Sequence, residues 1–279
     1  MQTRKLISAA LAVLVLGCAG YAGWRLNRHA LALLAPAYIS HTADAHALLD
    51  PTAVQRLQAL VAPKARGGPR LIALTFDDGP YPVTTPLLLD RLHDLGVPAT
   101  FFLIGDDAVR YPELTKRIAQ DGNEIGNHTW SHPDLRRLTA PQIAQQLSRA
   151  KTVLVALTGQ QTAGQIMRPP HGRFTEASVK ATQAAGYDVV LWTDAPGDWH
   201  AARPQRLAEH MLSSATAPEI VILHSGSLPT IQMLALVVPR FKAAGYRFVT
   251  VSRLLGQVGP QGINERAHIQ LKTDFGRER

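Results

Sequence analysis

A chain of 279 residues has room for one large domain or two small ones, and its 46% hydrophobic share is that of a globular protein with a real core. The net charge of +8 is spread along the chain without a dense run of Lys or Arg. That suits acidic surroundings such as an anionic cell envelope better than nucleic acid, because no basic patch is interleaved with aromatic residues. Cys18 is the only cysteine, so an intramolecular disulfide and a thiolate zinc site are both excluded.

The first element is an uncharged stretch from Leu6 to Trp24, preceded by Arg4 and Lys5. A basic segment followed by an apolar run reads as an export signal, and at about 19 residues it also meets the length of a membrane span. No clean small-x-small cleavage site follows, which favours an uncleaved signal anchor over residues 1–24. Val15-Leu16-Gly17-Cys18 is a looser match to a lipoprotein-type signal with a lipid-anchored Cys18. A buried N-terminal helix fits least well, because the run is apolar all round. Residues 25–69 read as a membrane-proximal connector. It holds a short amphipathic helix beginning near Asp50-Pro51-Thr52, and a Pro/Gly-rich linker from Pro63 to Pro69.

From Arg70 the pattern alternates. Strands are expected at Leu71–Phe76, Ala99–Ile104, Glu124–Gly126, Ile166–Met167, Val189–Trp192, Ile220–Leu223 and Arg247–Val251. Helices are expected between them, from Pro86 to Leu95 and over about 106–121, 140–157, 175–185, 204–214 and 230–244. Short apolar strands alternating with helices imply parallel pairing through right-handed crossovers in a sheet covered by helices. About seven such units point to a closed or nearly closed α/β barrel, whose reactive groups belong at the C-terminal ends of the strands.

Polar residues do gather at those ends. Asp77-Asp78 closes the first strand, Asn127-His128 the third and Arg168-Pro169-Pro170 the fourth; Asp194 and Asp198-Trp199 follow the fifth, and His224 ends the sixth. Each has a structural reading of its own. Asp78-Gly79 is a common turn pair, His128 and His132 could be surface residues, and Arg168-Pro169-Pro170 could be an extended connector. Asp198-Trp199 could be a loop with a packed indole, and a histidine after an apolar strand is more often structural than catalytic. All these readings would have to hold at once, at one rim. Two adjacent carboxylates cannot be buried unpaired without a cost of several kcal/mol, so Asp77 and Asp78 must be solvated, paired or bound to a cation.

The segments Thr75-Phe76-Asp77-Asp78-Gly79, His128-Thr129-Trp130-Ser131-His132, Arg168-Pro169-Pro170-His171-Gly172, Asp198-Trp199 and Ile222-Leu223-His224 resemble the ordered motif series of the polysaccharide deacetylases, carbohydrate esterases with a NodB-like homology domain. The resemblance covers residues 70–255 and leaves 256–279 as a basic polar tail. It implies a distorted (β/α)7-type barrel, here preceded by the N-terminal apolar helix, and metal-dependent removal of acetyl groups from N-acetylated sugars. By the same resemblance Asp78, His128 and His132 would hold one divalent metal. Zinc comes first, with cobalt, manganese and nickel open to the same nitrogen and oxygen ligands. Asp77 would be the general base and Arg168 its orienting partner, while His224 would be the general acid, fixed by Asp198. The backbone N–H of His171 would stabilise the oxyanion, and Trp199 and Ile222 would wall a pocket for the acetyl methyl.

Three positions depart from the family's pattern. His171 stands where an aromatic residue is usual, Ala195 where the first Asp of the fourth motif is expected, and Ser225 where Asp often follows the histidine; Ser225 could change how substrate is gripped. The implied partners are an acetylated glycan and, through the N-terminal segment, a membrane, with no nucleic acid. The expected location is the bacterial cell envelope, exported and membrane-anchored. Deacylation of a lipid-linked sugar and a catalytically silent glycan-binding barrel are the alternatives. A glycosidase is set aside, because adjacent carboxylates cannot flank a scissile bond.

Overall fold

A computed structural model describes residues 69–200 and 202–258. The expected apolar helix with Cys18, the connector and the segment after 258 lie outside the described residues. Among the described residues no helix is long and apolar enough to cross a membrane.

Seven parallel strands form one curled sheet: β1 (Leu71–Asp77), β2 (Thr100–Leu103), β3 (Glu124–Asn127), β4 (Ile166–Met167), β5 (Asp188–Val189), β6 (Glu219–His224) and β7 (Arg247–Phe248), in the order β5-β4-β3-β2-β1-β6. β1 is central and buried along its whole length, which fits a sequence that is apolar but for Thr75 and the closing Asp77. β6 runs along one edge of it, while β2 and β7 share the other, β2 at Thr75–Asp77 and β7 at Leu71–Ile72. The expected fifth strand, Val189–Trp192, is shorter than its apolar run. After Val190 donates to the Met167 carbonyl the chain leaves β4, and Asp194 bridges in parallel to Val221 of β6. That bridge brings the two ends of the sheet together, so the curl approaches a closed barrel of distorted shape.

The helices follow from local chemistry. Helix α1 (Thr84–Leu95) buries Leu88, Leu89 and Leu92 and stops at Gly96, whose φ of 58° accommodates the left-handed cap. The single helix expected over 106–121 is two, α2 (Gly105–Arg110) and α3 (Pro112–Gln120). Pro112 has no N–H to continue a helix, and it starts the second one instead. Helix α4 (Ala140–Thr158) opens on a capping box between Thr139 and Gln142 and buries Ile143, Leu147, Ala150 and Leu154. Helices α5 (Glu176–Ala184), α6 (Pro204–Ser214) and α7 (Leu228–Ala243) complete the outer layer.

The last strand stops at Phe248 rather than Val251. The Val251 N–H is taken by the Thr100 hydroxyl at 3.0 Å, and helix α8 (Val251–Val258) begins there. α8 puts Val251 and Leu254 into one apolar cluster with Leu71, Ala73, Phe102, Ile166, Val190, Ile220 and Val249. Each large side chain buried there contributes about 1.5–3 kcal/mol. The expected domain limit at 255 therefore falls inside a helix that runs to Val258. With all strands parallel, every C-terminal end opens on one rim, and Asp77, Asn127, Met167 and His224 are the last residues of their strands there.

Candidate active site

Consecutive side chains on a strand point to opposite faces, so Asp77 and Asp78 would part company if β1 simply continued. Asp78 instead takes the left-handed conformation at φ 68°, followed by Gly79 at φ 69°. A single non-glycine residue held there costs about 1–2 kcal/mol. The turn brings Asp78 Oδ1 to 3.6 Å from His128 Nε2, while Asp77 Oδ2 lies 3.9 Å from the same nitrogen. Gly79 is required at the turn, because a Cβ there would stand 2.9 Å from Ser225 Oγ and 3.0 Å from the Tyr81 nitrogen. Ser225 is buried and ties the end of β1, donating from its backbone N–H to the Asp77 carbonyl at 3.1 Å and from its hydroxyl toward the Asp77 and Asp78 carbonyls at 3.2 and 3.1 Å. It belongs to the scaffold of the turn rather than to a substrate grip.

His128 follows β3 and is buried. Its Nδ1 lies 2.9 Å from the Arg168 carbonyl, which can only accept, so Nδ1 carries the proton and Nε2 turns its lone pair toward the carboxylates. His132 comes back to the same point through a loop with left-handed residues at Thr129 (φ 69°) and His132 (φ 57°). Its Nε2 lies 3.1 Å from His128 Nε2 and 3.4 Å from Asp78 Oδ1. Burial pushes the His128 pKa down and, with the neighbouring His128, pushes His132 down to about 3. Both imidazoles are therefore neutral near pH 7, the form that donates a lone pair. Burial also raises the Asp78 carboxyl. One oxygen and two nitrogens lie within 4.8 Å of one another, and Asp78, His128 and His132 are the only such group among the described residues. A neutral donor pair beside a partly buried carboxylate fits a divalent cation and leaves coordination positions open.

Arg168, directly after β4, is fully buried. Its Nη1 donates to Asp77 Oδ1 at 2.7 Å and to Thr75 Oγ1 at 2.6 Å, and its Nη2 and Nε reach the Leu191 and Val190 carbonyls at 3.1 and 3.3 Å. The guanidinium also lies over the Phe102 ring, 4.2 Å from its centroid. Burial lowers the Arg168 pKa, and Asp77 opposes that pull. The pair holds Asp77 Oδ1 and leaves Oδ2 facing the histidines.

On the far side of β1, His224 Nδ1 lies 2.9 Å from Asp198 Oδ1, and the His224 backbone N–H donates to Asp198 Oδ2 at 2.8 Å. The Thr230 hydroxyl of α7 also donates to Asp198 Oδ2, at 2.5 Å. Burial would lower the His224 pKa; the hydrogen bond and charge of Asp198, helped by Asp77 and Asp78, outweigh it and raise it. Trp199 is half exposed and stands edge-on to the His224 ring, with centroids 5.4 Å apart. Ile222, two residues before His224 on β6, is buried and shares its face of the strand. His171, at φ 58° in the turn Pro170–Gly172, sets its ring edge against His132 at 4.2 Å. The following Gly172 gives Trp192 its place, since a Cβ there would meet that indole at 2.6 Å.

The sequence-expected residues thus meet at one rim. Thr75 and Thr230 were not singled out, although Thr75 lies inside the first motif; nothing in the local sequence around Thr230 marks it. Asp194 is not at the rim. It pairs with His210 of α6 at 2.7 Å, and the first-Asp position of the fourth motif remains with Ala195.

Residues 64–190 match the family model described as polysaccharide deacetylase. A peptidoglycan-N-acetylglucosamine deacetylase from Bacillus cereus is 37% identical over 191 residues, covering 67% of this chain and 88% of the relative. The chain belongs to the polysaccharide deacetylase family. A second relative, the peptidoglycan-N-acetylglucosamine deacetylase PgdA of Listeria monocytogenes, is 33% identical over 71% of this chain, which spans only 42% of that longer protein. Among solved structures, the peptidoglycan deacetylase PdaC of Bacillus subtilis superposes with a TM-score of 0.62 at 29% identity, over 76% of this chain and 98% of its own.

Proposed function

We propose that this polysaccharide deacetylase is a metal-dependent hydrolase that removes acetyl groups from N-acetylated sugars of a cell-envelope or extracellular polysaccharide, with peptidoglycan the first candidate and chitin-like and poly-N-acetylglucosamine chains next. One observation carries the reading: a carboxylate held by arginine and an imidazole held by a second carboxylate flank a cluster suited to a cation, at one rim. The names of the Bacillus and Listeria relatives support the peptidoglycan choice.

Asp78, His128 and His132 would hold the ion. When bound, it supplies Lewis-acid polarisation of the acyl oxygen and makes water more acidic. Asp77 takes the proton from the attacking water at Oδ2, because Oδ1 is committed to Arg168. The water oxygen bonds to the acetyl carbon, and the backbone N–H of His171 donates to the oxyanion that forms. His224 has its Nδ1 engaged by Asp198, so the proton leaves from Nε2 to the sugar nitrogen as the carbon–nitrogen bond breaks. Acetate and a free amine result. Trp199 and Ile222 would border the acetyl methyl. A silent glycan-binding barrel needs neither the Asp77–Arg168 pair nor the Asp198–His224 pair, and both are built. The apolar run from Leu6 to Trp24 after Arg4-Lys5 supports export and a membrane anchor, and with them the alternative of a lipid-linked sugar as substrate.

The test is acetate release by the full chain with added zinc, compared on chitin oligomers, peptidoglycan, poly-N-acetylglucosamine and acetylated xylan. Release from the N-acetylated substrates is expected, with loss in Asp77→Asn and after metal stripping. Unchanged release in either case refutes the mechanism, and release from xylan alone would move the activity to ester bonds.

A further inference from the structure

His132 is the cluster member with the least local support, since it follows a loop with two left-handed non-glycine residues, Thr129 and His132 itself. Such residues are strained, so the loop keeps its shape only if surrounding contacts over-determine it. The start of α2 holds its carbonyls, with Gly105 N–H on the Thr129 oxygen at 3.0 Å and Asp106 N–H on the Trp130 oxygen at 2.9 Å, and α4 holds its amides. Gln146, in the middle of α4, accepts at Oε1 from two successive backbone amides, Trp130 N–H and Ser131 N–H, both at 3.0 Å. Its Nε2 donates to Ser131 Oγ at 3.1 Å. One turn's reach along the same helix, the Arg149 guanidinium lies over the Trp130 ring, 3.7 Å from its centroid. The Leu147 carbonyl accepts from Asn127 Nδ2 at 2.9 Å, and Asn127 Oδ1 accepts from the Thr129 N–H at 2.8 Å.

We infer that Gln146 is a positioning residue for the metal cluster: its single amide group fixes Trp130 and Ser131, and through them the direction of the His132 imidazole. The inference rests on Asp78, His128 and His132 being the metal site. Without the Gln146 oxygen, the Trp130 and Ser131 amides lose their common acceptor; the bonds that remain, from the Gly105 and Asp106 N–H groups to the Thr129 and Trp130 carbonyls at 3.0 and 2.9 Å and from the His132 N–H to Thr129 Oγ1 at 3.0 Å, do not replace it. The loss falls on one ligand and leaves the other two in place. Outer partners of metal ligands typically govern about 10- to 100-fold in metal affinity.

The experiment measures zinc affinity of the full chain by competition with a chromophoric chelator, beside the thermal midpoint of the metal-free protein. Gln146→Leu keeps the bulk and removes the acceptor; its affinity should fall about 10- to 100-fold. Gln146→Glu keeps an acceptor oxygen for both amides and should bind within a few-fold of the wild type. His132→Ala is the control for the site itself. Wild-type affinity in Gln146→Leu, with His132→Ala impaired, overturns the positioning role and leaves the metal site standing. Equal losses in Gln146→Leu and Gln146→Glu, tracking equal drops in the metal-free midpoint, also overturn it, because they would mark general packing. No zinc binding by the wild type, or none lost in His132→Ala, overturns the metal reading and this inference with it.

Discussion

Replacing Glu219 by Gln should stabilise the protein, and by an amount that grows with pH. Glu219 begins β6 and is buried; its Oε2 accepts from the Thr216 N–H at 2.8 Å, while Oε1 has no hydrogen-bond partner among the described residues. Burial, and then the charge of Asp194, raise its pKa from 4.5 to about 8. An acid whose folded pKa lies above its unfolded value binds more protons when folded, so stability is highest below pH 4.5 and is lost as pH climbs through about 8. At roughly 1.36 kcal/mol per pH unit, the mismatch between folded and unfolded proton binding costs about 3 kcal/mol at pH 7, where the folded carboxyl is still mostly protonated, and about 5 kcal/mol well above pH 8, where it is forced to ionise. Gln is neutral throughout and keeps an oxygen for Thr216. Glu219→Gln should match the wild type near pH 4 and exceed it at pH 7 by roughly 6–12 °C in thermal midpoint for a domain of this size. Thermal unfolding of both proteins at steps from pH 4 to 9 checks this. A midpoint difference that is the same at both ends of the range would refute a buried carboxylate forced to ionise.

Asp198→Asn removes the charge that offsets the burial of His224, so the imidazole pKa should fall. The alkaline limb of acetate release, where the acid loses its proton, should move to lower pH, with kcat down about 10²- to 10⁴-fold in a pH–rate profile. Arg168→Met leaves the buried Asp77 carboxylate without its partner and should cost about 3–5 kcal/mol in urea unfolding. Chelation of divalent ions should abolish acetate release and lower the unfolding free energy by about 3–4 kcal/mol relative to zinc at 100- to 1,000-fold above its Kd, seen as a lower thermal midpoint. In His132→Ala that zinc-dependent gain should be absent.

Much of the barrel was legible because buried parallel strands are short apolar runs and their ends are abrupt. Leu71–Phe76 before Asp77-Asp78 and Ile220–Leu223 before His224 are of this kind, and both are strands in the structure. Local apolarity misleads where partner geometry outweighs it. Val189–Trp192 looks like one strand, but after Val190 the chain crosses to pair Asp194 with Val221. The run from Arg247 to Val251 looks continuous, but the Thr100 hydroxyl captures the Val251 N–H and a helix follows. The break at Pro112 was readable in principle, since proline cannot donate within a helix.

By itself the sequence determined which groups this protein has available: two adjacent carboxylates, a spaced pair of histidines, an arginine, an aspartate and a further histidine, several of them at the end of an apolar run. It also carried the family, because ordered motifs survive where overall identity is modest. Only the tertiary structure decided how those groups face one another. The left-handed turn at Asp78 sets both carboxylates toward His128. The burial of Arg168 commits one oxygen of Asp77 and frees the other. Thr230 reaches Asp198 from α7, and Gln146 reaches the loop before His132 from α4. Side-chain direction and burial depend on contacts between residues distant in sequence, and no local pattern of apolar and polar residues encodes them.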